Sequence, residues 1–246
     1  ILSGLVGSEM CIRDRLFDMM QELAPEIPIH VSTQANNINY RSAIKWYKMG
    51  ATRVVLAREM SFKEIAEFQK KNPEDLELEA FIHGAMCISY SGRCLLSNYM
   101  TGRDSNMGAC AHPCRWNYKL VEETRPGEYM DVFENERGTF IFNSKDLCTI
   151  RHIPELVQSG IASLKIEGRV KTSYYVATVV GAYRREIDRY CADPENYVFN
   201  EAEYEELCKV SHRPYTTGFY FGKPDENSQV YTSSSYIRDY DLIGIV

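Results

Sequence analysis

Proline and glycine are scarce in this chain of 246 residues, at 9 and 15, and long apolar runs are missing. What remains is an ordinary globular composition, 44% apolar and 25% charged, long enough to bury a sizeable core. No run of about 18 apolar residues exists, which excludes a membrane-spanning helix. The apolar opening Ile1–Gly7 lacks a basic n-region and a small-residue cleavage site, which argues against a secretory signal. A basic excess is missing too: 28 Lys and Arg face 34 Asp and Glu, a net charge of −6. That argues against a generally basic nucleic-acid binder and leaves room for a local basic groove. No Gly-rich phosphate fingerprint follows a strand, and H-E-x-x-H, G-x-S-x-G and papain-like cysteine contexts are all absent.

Cysteine is what the chain has in excess. Of eight, five (Cys87, Cys94, Cys110, Cys114 and Cys148) fall within one segment. A secreted disulfide scaffold is small and cysteine-dense throughout. A long chain without an export signal, with thiols confined to one stretch, points instead to the reducing cytoplasm and to metal or redox chemistry.

Residues 28–33, 53–58, 76–83 and 163–167 read as strands. Residues 38–49, 61–71 and 172–190 read as helices, with Ser61 and Glu64 at capping-box spacing. Strand and helix alternate, so the class is α/β with a parallel sheet. Polar residues stand at the strand ends: Thr33 and Gln34, Arg58 and Glu59, His83, Glu167 and Arg169. In a (β/α) barrel such ends ring the active site; elsewhere they cap helices or face water. A full barrel takes about 250 residues and eight βα units, and only four units fit here. The expectation is a partial TIM-like barrel, its second half, over 16–190, with a Cys-rich insertion at about 85–148. Residues 1–15 are expected to be a non-native leader without regular structure. Residues 191–246 are expected to be an acidic linker and the truncated start of a small β-rich domain.

Only Cys110 and Cys114 approach the close pairing of a zinc knuckle. A widely spread set of thiolates suits an iron–sulfur cluster better, because ligands can come from separate loops. Buried free thiols are the bland alternative.

The run EAFIHGAMCISYSGRCLLS over 79–97 fits the pattern E-x-F-x-x-G-[SA]-hydrophobic-C-x-x-x-x-G-x-C-x-hydrophobic-S throughout. Together with CAHPCRW over 110–116, GTFIFNSKDLC over 138–148 and SLKIEGR over 163–169, it makes the chain resemble the collagenase-like "unassigned" peptidase family. The branch it is most similar to hydroxylates the wobble uridine of tRNA with prephenate. The resemblance implies a barrel-like domain with a Cys-rich excursion, and a 4Fe–4S cluster held by Cys87, Cys94, Cys110 and Cys148, with Cys114 as a substitute ligand.

Three functions follow as expectations. The first is an iron–sulfur enzyme hydroxylating C5 of the wobble uridine, with the tRNA anticodon loop and a small carboxylate, prephenate, as partners. The second is a peptidase, which rests on the family name. The third is a non-catalytic subunit holding a cluster and tRNA for a protein partner. For the first, Arg169 would grip the carboxylate and Glu167 would hold its guanidinium. His83 would move protons beside the cluster. Gln34, Arg58, Lys165, Arg93 and Arg115 would bind substrate, since cations and interleaved aromatics suit a splayed RNA loop.

Overall fold

The computed structural model describes residues 10–11, 14–35, 37–87, 94, 96–103, 109–116, 119–120, 130–131, 144–169, 171–222, 237 and 240. Its spine is five parallel strands in the order β1 (Met10–Cys11), β2 (His30–Val31), β3 (Arg53–Val55), β4 (Glu77–Ala85) and β8 (Ser163–Ile166). Helices α1 (Asp14–Leu23), α2 (Tyr40–Lys48) and α3 (Phe62–Gln69) form the crossovers between the first four.

The crossover helices start where their caps say. Asn39 accepts the Ser42 amide at 3.0 Å, and Ser61 and Glu64 exchange both bonds of a capping box. Between β4 and β8 come α4 (Leu96–Thr101), the small antiparallel pair β5 (Lys119–Leu120) and β6 (Met130–Asp131), then β7 (Asp146–Cys148) and α5 (Ile153–Gln158). Gly160 follows α5 with φ +75, a conformation that closes a helix at little cost only for glycine.

Two apolar cores hold the layers together. Phe17, Val31, Val54, Ile65, Phe68 and Leu78 fill the space among β1–β4 and α1–α3. Ile82, Ile150, Ile153, Leu156, Tyr175, Val179, Tyr183 and Leu207 join β4 to α5, to α6 (Ser173–Ala192) and to α7 (Glu201–Lys209). Each fully buried Leu, Ile or Phe contributes about 1.5–3 kcal/mol.

Several expectations change. The sheet is not closed: its path runs from β1 to β4 and branches there, to β8 on one side and to β7 and β9 (Tyr215–Thr216) on the other. The architecture is therefore an open, mixed α/β sheet, since β7 runs antiparallel to β4. The leader expected to lack regular structure contributes β1, which pairs with β2, and the first residues of α1.

The acidic stretch read as linker forms α7. Its carboxylates have partners that the local composition hides, because they lie elsewhere in the chain: Arg185 bonds Glu203 at 2.6 Å and Arg151 bonds Glu201 at 2.5 Å. Strand β9 pairs in parallel with β7 and so adds to the same sheet. Of the region expected to open a β-rich domain, residues 223–236, 238–239 and 241–246 lie outside the described residues. No helix of the described residues is long and apolar enough to cross a membrane.

Candidate functional site

The C-terminal ends of β3, β4 and β8 converge on one polar centre. Gly84 makes this possible. Its φ is +108, and a Cβ there would lie 2.5 Å from the Glu167 carbonyl oxygen. The bare backbone lets the end of β8 close against β4, where the Glu167 amide donates to the His83 carbonyl at 2.9 Å.

Glu167 then reaches Arg58, whose Nη2 lies 3.1 Å from Oε2. The Arg58 side chain is only 8% exposed and its guanidinium lies 3.6 Å over the Phe81 ring. The same guanidinium presents Nη1 to the Cys87 sulfur at 4.0 Å. Burial pushes the Glu167 carboxyl up, but the Arg58 charge, the Arg169 amide and the charges of Arg169 and His112 outweigh it and hold it below its ordinary value.

A second charged group lies nearer the strand starts. Glu79 takes Lys165 at 2.7 Å, Ser163 at 2.8 Å and Arg53 at 3.4 Å. Burial raises this carboxyl and the Lys165 charge and bonds, with Ser163 and Arg53, more than reverse it. Glu79, Phe81, Gly84 and Cys87 are four fixed positions of the sequence signature, so much of that signature is a device for seating Arg58, Glu167 and Lys165. Phe81 was missed as a site residue because a lone Phe in a strand reads as core.

The expected residues are distributed unevenly. Arg58, Glu167 and Arg169 come together, but Glu167 grips the Arg58 guanidinium and takes only the backbone amide of Arg169, at 2.9 Å. The half-buried Arg169 guanidinium makes no ion pair among the described residues. Lys165 is paired with Glu79. Gln34 lies in the short helical turn Thr33–Ala35 after β2, its backbone amide donating to the Ser32 hydroxyl at 3.2 Å. Arg93 and the Arg115 side chain lie outside the described residues. The arginines of α6 are paired with acids, Arg184 with Asp188 and Arg189 with Glu186, and make no free basic stripe.

His83 lies deepest of the expected residues. At 1% exposure it packs among the rings of Tyr175, Tyr183 and Tyr215. Burial, together with the charges of Lys171 and His212, pushes its pKa down to about 3 against an upward pull from Asp146. An imidazole held neutral this way does not shuttle protons near pH 7.

The thiols also divide. Cys87 lies just past β4 at the polar centre, and the Ser144 hydroxyl meets its carbonyl at 3.5 Å. Cys110 accepts the His112 amide at 3.3 Å, and its loop is tied to α4 by the Ala111 amide on the Ser97 hydroxyl, at 3.0 Å. His112, at φ 56, precedes the turn Pro113–Arg115 that holds Cys114.

Cys148 pairs in register with His83, four residues below Cys87 and so about 13 Å down the strand. Burial pushes its thiol up to about 11, against the lowering bonds of the Ile150 backbone and the Tyr183 hydroxyl. Among the described residues no three His, Cys, Asp or Glu side chains are gathered to hold a metal ion. The donor chemistry of the segment, with Cys87, Cys94 and Cys110 on the loops beyond β4, fits a thiolate-bound cluster. Cys148 fits it only by spacing.

Comparison with known proteins adds the lineage. Peptidase family U32 matches residues 8–230. The chain belongs to that family. It is 45% identical over 231 residues to tRNA hydroxylation protein P1 of Bacillus subtilis (strain 168), covering 94% of this chain and 54% of the relative. It is 39% identical to tRNA hydroxylation protein P of Escherichia coli (strain K12), covering 91% and 57%. A collagenase of Porphyromonas gingivalis (strain ATCC BAA-308 / W83) is 33% identical, covering 90% and 53%. The chain spans about half the length of these relatives. No solved structure matches.

Proposed function

We propose that this U32 chain is part of an enzyme that hydroxylates tRNA, acting on C5 of the wobble uridine with prephenate as co-substrate, in the cytoplasm. The observation that carries the reading is the high identity to proteins named for tRNA hydroxylation, over nearly all of this chain. Arg169, whose backbone amide is held by Glu167 beside the already satisfied Arg58–Glu167 pair, carries a guanidinium fork suited to a carboxylate. Tyr99 on α4 and Trp116 beyond the cysteine turn are exposed aromatics on which unstacked bases can lie.

A 4Fe–4S cluster, when bound, would supply one-electron chemistry. Cys87, Cys94 and Cys110 would hold it, with a fourth thiolate from Cys148, as spacing has it, or from Cys114 on the cysteine turn. This chain's own part is to bind the carboxylate through Arg169, to fix Arg58 by Glu167 and Phe81, and to keep His83 neutral and out of the chemistry.

The peptidase reading draws on the collagenase relative. Against it, the described histidine nearest in sequence to Cys87 is turned into a cage of tyrosines, where it makes a poor base. The test is expression of a protein carrying this chain in cells that lack their own tRNA hydroxylation proteins. Nucleoside mass spectrometry should then show 5-hydroxyuridine-type modification. Cleavage of gelatin by highly purified protein, with tRNA mass unchanged, would overturn the proposal.

A further inference from the structure

Arg58 has more contacts than a substrate-binding cation needs. Its side chain is 8% exposed, its guanidinium lies flat on Phe81 at 3.6 Å, and Nη2 is fixed by Glu167 at 3.1 Å. One edge of the fork is thereby used up. The other edge, through Nη1, faces the sulfur of Cys87 at 4.0 Å. Three strand ends contribute: Arg58 after β3, Cys87 after β4 and Glu167 after β8. Gly84 permits the approach of β8 that brings the carboxylate in. A guanidinium anchored on two sides loses little further freedom when it donates to a sulfur, so the contact is pre-organised.

We propose that Arg58 is a positioning residue for the Cys87 sulfur, and that Glu167 and Phe81 are there to aim it. Its N–H and its positive charge stabilise added electron density on whatever that sulfur ligates. For an iron–sulfur cluster this means a raised reduction potential, because hydrogen bonds to ligand sulfurs and nearby positive charge both favour the reduced form. The role differs from carboxylate recognition, which falls to Arg169. It also explains why the signature couples a Phe, a Gly and a Cys at fixed spacing: Phe81 supports the guanidinium, Gly84 admits Glu167, and Cys87 receives the donor.

The inference rests on the iron–sulfur reading. Its test is a redox titration, followed by electron paramagnetic resonance, of protein reconstituted with iron and sulfide under nitrogen. Arg58→Gln should move the midpoint to a more negative potential, and Arg58→Lys should recover part of the shift. Glu167→Gln, which removes a neighbouring negative charge and leaves that of Arg58 uncompensated, should move the midpoint the opposite way, to a less negative potential, and it serves if Arg58→Gln loads poorly. Arg53→Gln, which breaks the pairing with Glu77 and Glu79 near the strand starts, should leave the potential alone. Equal potentials for wild type, Arg58→Gln and Glu167→Gln, all cluster-loaded, would overturn the role of Arg58 and leave the cluster standing. A wild-type protein that takes up no iron would overturn the cluster reading, and this inference with it.

Discussion

The upper end of β4 and its middle hold the same residue types and do opposite things with them. At the end, Cys87 stands exposed beside the largely buried Arg58–Glu167 ion pair. Four residues below, Cys148 and His83 face each other across two strands, enclosed by tyrosines. There the Tyr183 hydroxyl donates to the Ile82 carbonyl at 2.9 Å and accepts the Thr149 amide at 2.9 Å. Burial raises the thiol and lowers the imidazole, so both favour their neutral forms.

The sharpest way to test that division is iron. Ser substitution at Cys87, Cys94 or Cys110 should abolish iron uptake measured under nitrogen by absorption and metal content. Of Cys114→Ser and Cys148→Ser, only one should do the same, and that result names the fourth ligand. Retention of a full cluster after Cys87→Ser would break the comparison at its upper end.

The lower region should answer in stability. Tyr183→Ala removes a buried ring together with a hydroxyl that serves two backbone groups, and should cost about 3–5 kcal/mol in denaturant unfolding. A loss below 1 kcal/mol would mean that the tyrosine cage is not packing.

A smaller effect concerns pH. His83 has a folded pKa of about 3 against an ordinary 6.5, so below pH 6.5 the unfolded chain takes up a proton that the folded chain refuses. Its contribution is present above that range and is lost as pH falls toward 3, at about 1.4 kcal/mol per pH unit at most. Between pH 6 and 4, stability should therefore drop less steeply in His83→Gln than in wild type, by about 2–3 kcal/mol over the interval. Parallel curves would show that His83 is not held neutral.

Much of the scaffold was legible because local signals suffice for it. Asn39 and Ser61 cap helices by bonds to residues three positions on, and β-branched runs marked β2 and β3. What was not legible depends on contacts distant in sequence. Glu201 and Glu203 read as a solvated linker because Arg151 and Arg185, their partners, lie 50 and 18 residues away. Glu167 was matched to Arg169 by proximity in sequence, whereas the fold brings it Arg58 from 109 residues away. His83 was placed at the mouth by its position near a strand end. The register shift between Phe81 and His83 in the pairing with β8, which no local pattern announces, accompanies its packing against α6 instead.

On the proposed reading, substrate is handled at the ends of the strands and His83, inside the tyrosine cage, takes no part in proton transfer. Nucleoside mass spectrometry of tRNA from cells dependent on a protein carrying this chain tests it most directly, with Arg169→Ala compared with His83→Gln at equal folded protein. Loss of a charge-assisted carboxylate contact costs about 1.5–3 kcal/mol, so Arg169→Ala should reduce wobble-uridine hydroxylation by about 10- to 100-fold. His83→Gln should stay within about twofold of wild type, since a neutral, enclosed imidazole transfers no proton. Loss of modification in His83→Gln with retention in Arg169→Ala would contradict the account.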